Sequence, residues 1–103
     1  MARLQLKAAP TFPVKVAIPV AGGASVPVVL TCKHRTRTEL NAFIAACPGR
    51  EDLDVFNDMV VGWDLEDPFT PESINELLEN YIGTPLATYQ AYIEELLKAK
   101  SGN

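Results

Sequence analysis

Three residues of this chain, Cys32, His34 and Cys47, are best suited by type to metal binding or nucleophilic chemistry. A structural zinc site normally has four ligands, arranged as two closely spaced pairs. The chain has only two cysteines and one histidine, and Cys32 and His34 face the same way only on a regular strand. The pattern therefore favours Cys32 as a small hydrophobic residue and Cys47 at a helix end over a metal site.

The same residues do not form a convincing catalytic pair, because the sequence offers no third group to orient the histidine and no oxyanion site. The Gly22-Gly23 segment joins two predicted strands and opens no helix, so it does not resemble a phosphate loop. We expect no catalytic residue, no metal and no cofactor. A small enzyme or metal protein built on Cys32, His34 and Cys47 is kept as the more distant alternative.

An acidic and aromatic stretch, residues 60–70, contains the only tryptophan, Trp63, together with Phe69. Gly62 and Pro68 are predicted to interrupt regular structure on either side. Its three acids are Asp64, Glu66 and Asp67. We interpret the stretch as an ordered connector between two helices. Large aromatics in a small domain are typical of the core, and the competing interpretation makes Trp63 and Phe69 contacts for a partner.

The most basic stretch is Lys33-His34-Arg35-Thr36-Arg37. It comes just before a predicted helix N-terminus, a position that favours anions. Lys33, Arg35 and Arg37 are therefore candidate contacts for an acidic partner surface or a phosphate. The net charge of −4 argues against nucleic acid, whose binders are usually basic. A small regulatory protein that contacts nucleic acid through this corner is the first alternative function.

Two alternating apolar patterns predict an antiparallel β-hairpin over residues 11–33, after a flexible arm at residues 1–10. The inward positions are Phe12, Val14, Val16 and Ile18, then Val26, Val28, Leu30 and Cys32. A lone hairpin is marginally stable in water. Its apolar face is therefore expected to pack on helices or on another copy, and we expect a homo-oligomer.

Four helices are predicted in the helical part, residues 36–100. The first runs from about Arg37 to Ala46 behind a Thr36–Glu39 capping box, and the second begins near Glu51 or Asp52. The third runs from Pro71 to about Tyr81 with Gly83 as its C′ residue, and the fourth from Pro85 to about Lys100. In the first helix the predicted buried residues are Leu40, Phe43 and Ile44, and in the second they are Leu53, Phe56, Met59 and Val60. In the third they are Ile74, Leu77 and Leu78, and in the fourth Leu86, Tyr89, Ile93, Leu96 and Leu97. The fold class is α+β.

The composition is that of one ordinary globular domain of 103 residues, 48% apolar and 21% charged. No apolar run approaches the ~18 residues of a membrane span. The first residues show no signal-peptide pattern. We therefore expect a soluble cytosolic protein that does not contact a membrane.

The order of these features resembles the tail assembly chaperones of long-tailed bacteriophages and prophages. The resemblance lies in the order of four features. A hairpin leads into the basic segment, which continues to Leu40. The motifs Val61-Gly62-Trp63 and Pro68-Phe69-Thr70 follow, and the last feature is a helix that carries aromatic residues. It covers the chain from about Phe12 to the C-terminus.

This resemblance implies a protein without catalytic residues that binds the tape-measure protein in the host cytoplasm. Such a chaperone covers the apolar helical segments of the tape-measure protein, is displaced by the tail tube protein, and is not expected in the mature virion. No contact residue is carried over from the family. Our own candidates are Trp63, Phe69, Tyr89 and Tyr92, and we expect the binding surface at the hairpin's apolar face or at the seam between helices three and four.

Overall fold

A computed structural model describes residues 2–98 of the chain. The elements follow in the order β1 (Thr11–Ile18), β2 (Val26–Lys33), α1 (Arg37–Ala46), α2 (Asp52–Met59), β3 (Val60–Trp63), α3 (Pro71–Asn80) and α4 (Thr84–Leu97). The α+β class, with an N-terminal antiparallel hairpin and four helices, is confirmed.

The sheet has a third strand that the sequence did not predict. Strands β1 and β2 pair antiparallel from Thr11 opposite Lys33 to Ile18 opposite Val26, and β3 pairs with the other side of β2. The expectations that Val60 ends a helix and that Gly62 interrupts regular structure are therefore wrong. A Cβ added at Gly62 would lie at an ordinary 3.6 Å from Thr31, so this glycine fits the ladder.

A side chain replaces the backbone where β3 ends. The Asp64 N–H donates to the Val29 carbonyl (3.1 Å), and the Val29 N–H donates to Oδ1 of Asp64 (3.0 Å). The carboxylate thus takes the place that the next strand carbonyl would occupy. The paired part of β3 stops halfway along β2.

The core lies between one face of the sheet and the helices. Helix α4 packs along β1, and α2 packs against α4 and the inner strands. The buried apolar residues are Val14, Val16, Ile18, Val28, Leu30, Cys32, Leu40, Phe43, Phe56, Met59, Val60, Ile74 and Tyr92. The fold's own helices cover most of the hairpin's apolar face, and its end at the hairpin turn, where Val26 is exposed, stays open to a partner.

Helix α4 buries a different face from the predicted one. Leu86 and Leu97 are each 62% exposed, whereas Thr84, Thr88 and Tyr92, spaced four residues apart, are fully buried. Residues four apart lie on one side of a helix, so the side of α4 that carries these two threonines and Tyr92 is the one turned into the fold. The ring of Tyr92 stacks on Phe12, with centroids 5.9 Å apart.

Several helix ends match the prediction, whereas the role of Gly83 and the burial of two side chains do not. The capping box of Thr36 and Glu39 is confirmed. Gly83 has φ −81° and is the N-cap of α4, not a left-handed C′ residue, and α3 ends at a cap formed by Tyr81. Ile44 and Leu53, both predicted to be buried, are exposed. The predicted extension of the last helix to residue 100 falls partly outside the described residues.

Helix α3 stands apart from the sheet. It begins where the Thr70 hydroxyl accepts a hydrogen bond from the Ser73 N–H (3.1 Å), and its helix contacts are with α4. Only Ile74 of this helix is buried. Space is thereby left between α3 and one end of the sheet. No helix within residues 2–98 has the length and apolar character needed to cross a membrane.

Candidate functional site

A groove of about 750 Å³ lies between α3 and the end of the sheet that carries the hairpin turn. Its walls combine apolar side chains with the polar Asp67, Glu76 and Asn80, and come from the hairpin, the connector after β3, and α3. The lining residues are Ile18, Val20, Ala21, Val26, Val28, Trp63, Leu65, Asp67, Glu76, Leu77, Asn80 and Tyr81. Val26 and Tyr81 are 51% and 39% exposed, so the groove presents apolar side chains to solvent.

Trp63 is fixed in one wall of this groove by two contacts. Its Nε1–H donates to the Asp67 carbonyl (2.8 Å), and its ring meets that of Phe69 edge to face, with centroids 4.9 Å apart. Both rings are half-buried against the core. The connector between β3 and α3 is therefore ordered, and Trp63 serves the core and the groove together.

Tyr92 is part of an internal hydrogen-bond network. Its hydroxyl donates to the Lys33 carbonyl (2.7 Å) and accepts from Nη1 of Arg35 (2.8 Å). Burial raises the pKa of Tyr92, and the hydrogen bond from Arg35 partly opposes this rise. The phenol therefore stays protonated at neutral pH and keeps its donor. Because Tyr92 is fully buried, we leave it out of the proposed contact surface.

Arg35 points into the fold. Its guanidinium also donates to the Asp58 carbonyl (2.9 Å) and lies 4.2 Å from the centroid of the Phe43 ring, a cation–π geometry. Lys33 is half-buried and Arg37 is exposed. The three cations are therefore not equally available to a partner. The basic run by itself does not indicate this, because the aromatic partners of Arg35 come from α1 and α4.

Tyr89, the remaining candidate contact, is half-buried beside Phe43, with ring centroids 6.2 Å apart. Burial raises its pKa. Of the seven residues predicted as partner contacts, Trp63 lines the groove and Phe69 supports it, whereas the others lie elsewhere.

The thiols lie in apolar surroundings. Cys32 is fully buried, and this burial raises its pKa to about 12. Burial also raises the pKa of Cys47, and the positive charge of Arg50 partly offsets this rise. Neither thiol is therefore activated as a nucleophile. Within residues 2–98, no group of three or more histidine, cysteine or acidic side chains is placed to hold a metal ion.

A second concave surface includes the seam between α3 and α4, one of the two regions that the sequence favoured for partner binding, and its acidic rim was not anticipated. It lies where the start of α2 meets the end of α3 and the start of α4, and has a volume of about 610 Å³. We call it the acidic concavity. Its apolar residues are Leu53, Leu78, Ile82 and Pro85, and its acids are Glu51, Asp52, Asp54 and Glu79. Ile82 is 83% exposed, which is unusual for an isoleucine beside other apolar side chains.

Comparison with protein families gives a match over the whole chain. A family model described as "Phage tail assembly chaperone" matches residues 1–103, the whole chain. No curated protein and no solved structure matches the chain significantly.

Proposed function

Because the chain belongs to the phage tail assembly chaperone family, we propose that it binds the tape-measure protein and keeps its apolar helical segments soluble during tail assembly. It acts in the host cytoplasm, yields to the tail tube protein, and is not retained in the virion. It works by binding and not by catalysis. The family supports a role with phage tail proteins, and the partner itself is our proposal.

The observation that carries this proposal is the open apolar groove between the sheet and α3. Binding an apolar or amphipathic helix requires a groove lined by aliphatic and aromatic side chains. Here strand valines, Leu65, Leu77 and the ring of Trp63 provide that lining. The groove is open to solvent along one side, which suits side chains of a helix laid across it. Val26 and Tyr81 would lose their exposure when the partner is bound.

The direct test is co-expression with a fragment of the tape-measure protein, comparing two strand valines of similar exposure. Val26 is 51% exposed and lines the groove, whereas Val61 is 41% exposed and lies outside it. We expect Val26→Asp to abolish solubilisation of the fragment and Val61→Asp to preserve it. Equal behaviour of the two folded variants would place the binding surface elsewhere.

The thermodynamics of binding provide a second test. Burial of apolar surface gives a negative heat-capacity change and little dependence on salt, so the complex should persist as ionic strength rises. A nucleic-acid complex would instead weaken steeply with salt. The nucleic-acid alternative is disfavoured because Arg35 is used inside the fold. Salt-sensitive binding to duplex DNA that is lost in Arg37→Ala would restore it.

We also propose that the protein is a homo-oligomer. The hairpin edges are weaker support than the sequence suggested, because β3 covers part of one edge and Pro13 interrupts the other. The arm and the acidic concavity provide a better basis.

A further inference from the structure

Charge is divided sharply along this chain. All thirteen acidic residues lie after residue 38, and six of the nine lysines and arginines lie before it. The first 38 residues, which hold the arm and the hairpin, are therefore purely basic. The helical part carries the whole acidic excess. Such a separation favours contact between the basic end of one copy and the acidic end of another.

The N-terminal arm, residues 2–10, has two distinct sides when extended. Successive side chains of an extended chain point to opposite faces, so Leu4 and Leu6 would share one face and Arg3 and Lys7 the other. The free arm bends at residues 6 and 7, so it would straighten there on docking. Leu4 is 86% exposed and Leu6 is 100% exposed. Among the described residues, neither cation of the arm has an ion-pair partner. The arm thus presents two apolar side chains flanked by two charges to solvent.

We propose that the arm of one copy docks in the acidic concavity of a second copy, joining the copies head to tail. Leu4 and Leu6, about 7 Å apart in an extended chain, would cover Ile82 and its apolar neighbours. Arg3 and Lys7 would face the acids of the rim. The one cation lining the concavity, Arg50, is already paired with the Asp58 carboxylate at 2.6 Å, so it does not oppose the arm.

In this structure the arm does not sit in the concavity of its own chain, because Leu4 and Leu6 are exposed. The border of the concavity at Ile82 and Pro85 lies near the end of β1 opposite to Thr11, where the arm begins. The β carbon of an alanine at Gly83, between these two residues, would lie 3.0 Å from Pro19. The leucines of the arm are therefore available to the concavity of a second copy.

A charge-swap experiment on the full chain tests the proposal. In one variant Arg3→Glu and Lys7→Glu make the arm acidic, and in the other Glu51→Lys and Glu79→Lys make the concavity basic. Each variant alone should associate at least tenfold more weakly than the wild type in sedimentation velocity over about two decades of concentration. In an equimolar mixture each altered site meets a complementary one, so association should return.

Matched controls separate the site from net charge. Lys15→Glu on β1 and Glu94→Lys on α4 alter exposed charges away from both surfaces and should leave association unchanged. Circular dichroism and urea unfolding should show all variants folded. A wild type that stays monomeric, swap variants that associate normally, or a mixture that fails to recover would each overturn the proposal. The proposed binding of the tape-measure protein uses the groove between α3 and the sheet. Variants that lose head-to-tail association should therefore still bind the tape-measure protein. If the protein did not bind the tape-measure protein at all, the association test would be unaffected.

Discussion

At the residue scale, the Tyr92 hydroxyl joins parts of the fold that are far apart along the chain. It lies on α4, donates to the carbonyl of Lys33 at the end of β2, and accepts from Arg35 in the corner before α1. Arg35 in turn holds the Asp58 carbonyl of α2. A phenol and a guanidinium thus connect the sheet to two helices, the tyrosine being fully buried and the arginine half-buried.

Removing the Tyr92 hydroxyl should destabilise the protein. Tyr92→Phe leaves Arg35 and the Lys33 carbonyl without this partner in a buried region, so we expect a loss of about 1–3 kcal/mol in urea unfolding. Tyr89→Phe is the matched control, because the Tyr89 hydroxyl has no hydrogen-bond partner among the described residues. It should change stability by less than about 0.5 kcal/mol. Equal effects of the two would show that the network contributes nothing.

Cys32 should make stability fall at alkaline pH. Its pKa in the folded protein is about 12, above the ordinary value of 9.0, because burial disfavours the thiolate. As pH rises, the unfolded state therefore loses the thiol proton before the folded state does. The contribution of the protonated Cys32 to the free energy of unfolding is fully present below pH 9 and is lost between pH 9 and about 12. Urea unfolding across this window should show a flatter pH dependence for Cys32→Ala than for the wild type. Parallel curves would contradict the raised pKa.

At the element scale, α4 and β3 show where sequence patterns stop being informative. A hydrophobicity pattern selects the leucine and tyrosine face of α4, yet the sheet receives the face with Thr84 and Thr88, because close approach favours small side chains. Strand β3 continues the apolar pattern of α2 and contains a glycine. It becomes a strand only because β2 has an unpaired edge beside it.

The hairpin, the Thr36–Glu39 capping box and the first three helix starts could be predicted, since alternation and capping residues act locally. The candidate groove could be predicted only in part. Trp63 and its connector stood out by type, whereas Val26 and Tyr81 converge on the groove only because α3 stands off the sheet. Arg35 was misjudged for the same reason, because its aromatic neighbours depend on how the helices pack.

The two element junctions at Gly62 and Gly83 should respond differently to the same substitution. A Cβ at Gly83 would lie 3.0 Å from Cγ and 3.2 Å from Cβ of Pro19, whereas at Gly62 the nearest atom is at 3.6 Å. Gly83→Ala should cost about 1–2 kcal/mol, through the rigid proline ring and the loss of a good N-cap. Gly62→Ala should stay within about 0.5 kcal/mol. Thermal unfolding of both variants checks this, and a reversed order would refute the tight α4–β1 junction.

At the scale of the whole molecule, the fold divides into a well-packed part and a loosely attached helix. The sheet, α2 and α4 share the buried core, whereas α3 contributes only Ile74 to it. The groove exists because of this loose attachment. A partner that enters it would therefore gain contacts on α3 without disturbing the sheet.

Hydrogen exchange should reveal this division. We expect the amides of α3 to exchange about tenfold or more faster than those of β2, because few buried apolar contacts oppose local opening. Helix α4, which packs on β1, is the matched control and should exchange as slowly as the sheet. Equal protection of α3 and α4 would contradict the loose attachment.

The edge of β2 beside Asp64 is closed to fibril growth. Alternate N–H groups of an antiparallel strand face the same side, so residues 27, 29 and 31 face the side that β3 occupies. Pro27 has no N–H, Val29 donates to Asp64, and Thr31 pairs with Gly62. Along residues 27–31 this edge therefore offers no donor that could template a cross-β stack. If the protein binds the tape-measure protein as proposed, this edge of the sheet would not recruit it into a fibril of its partner.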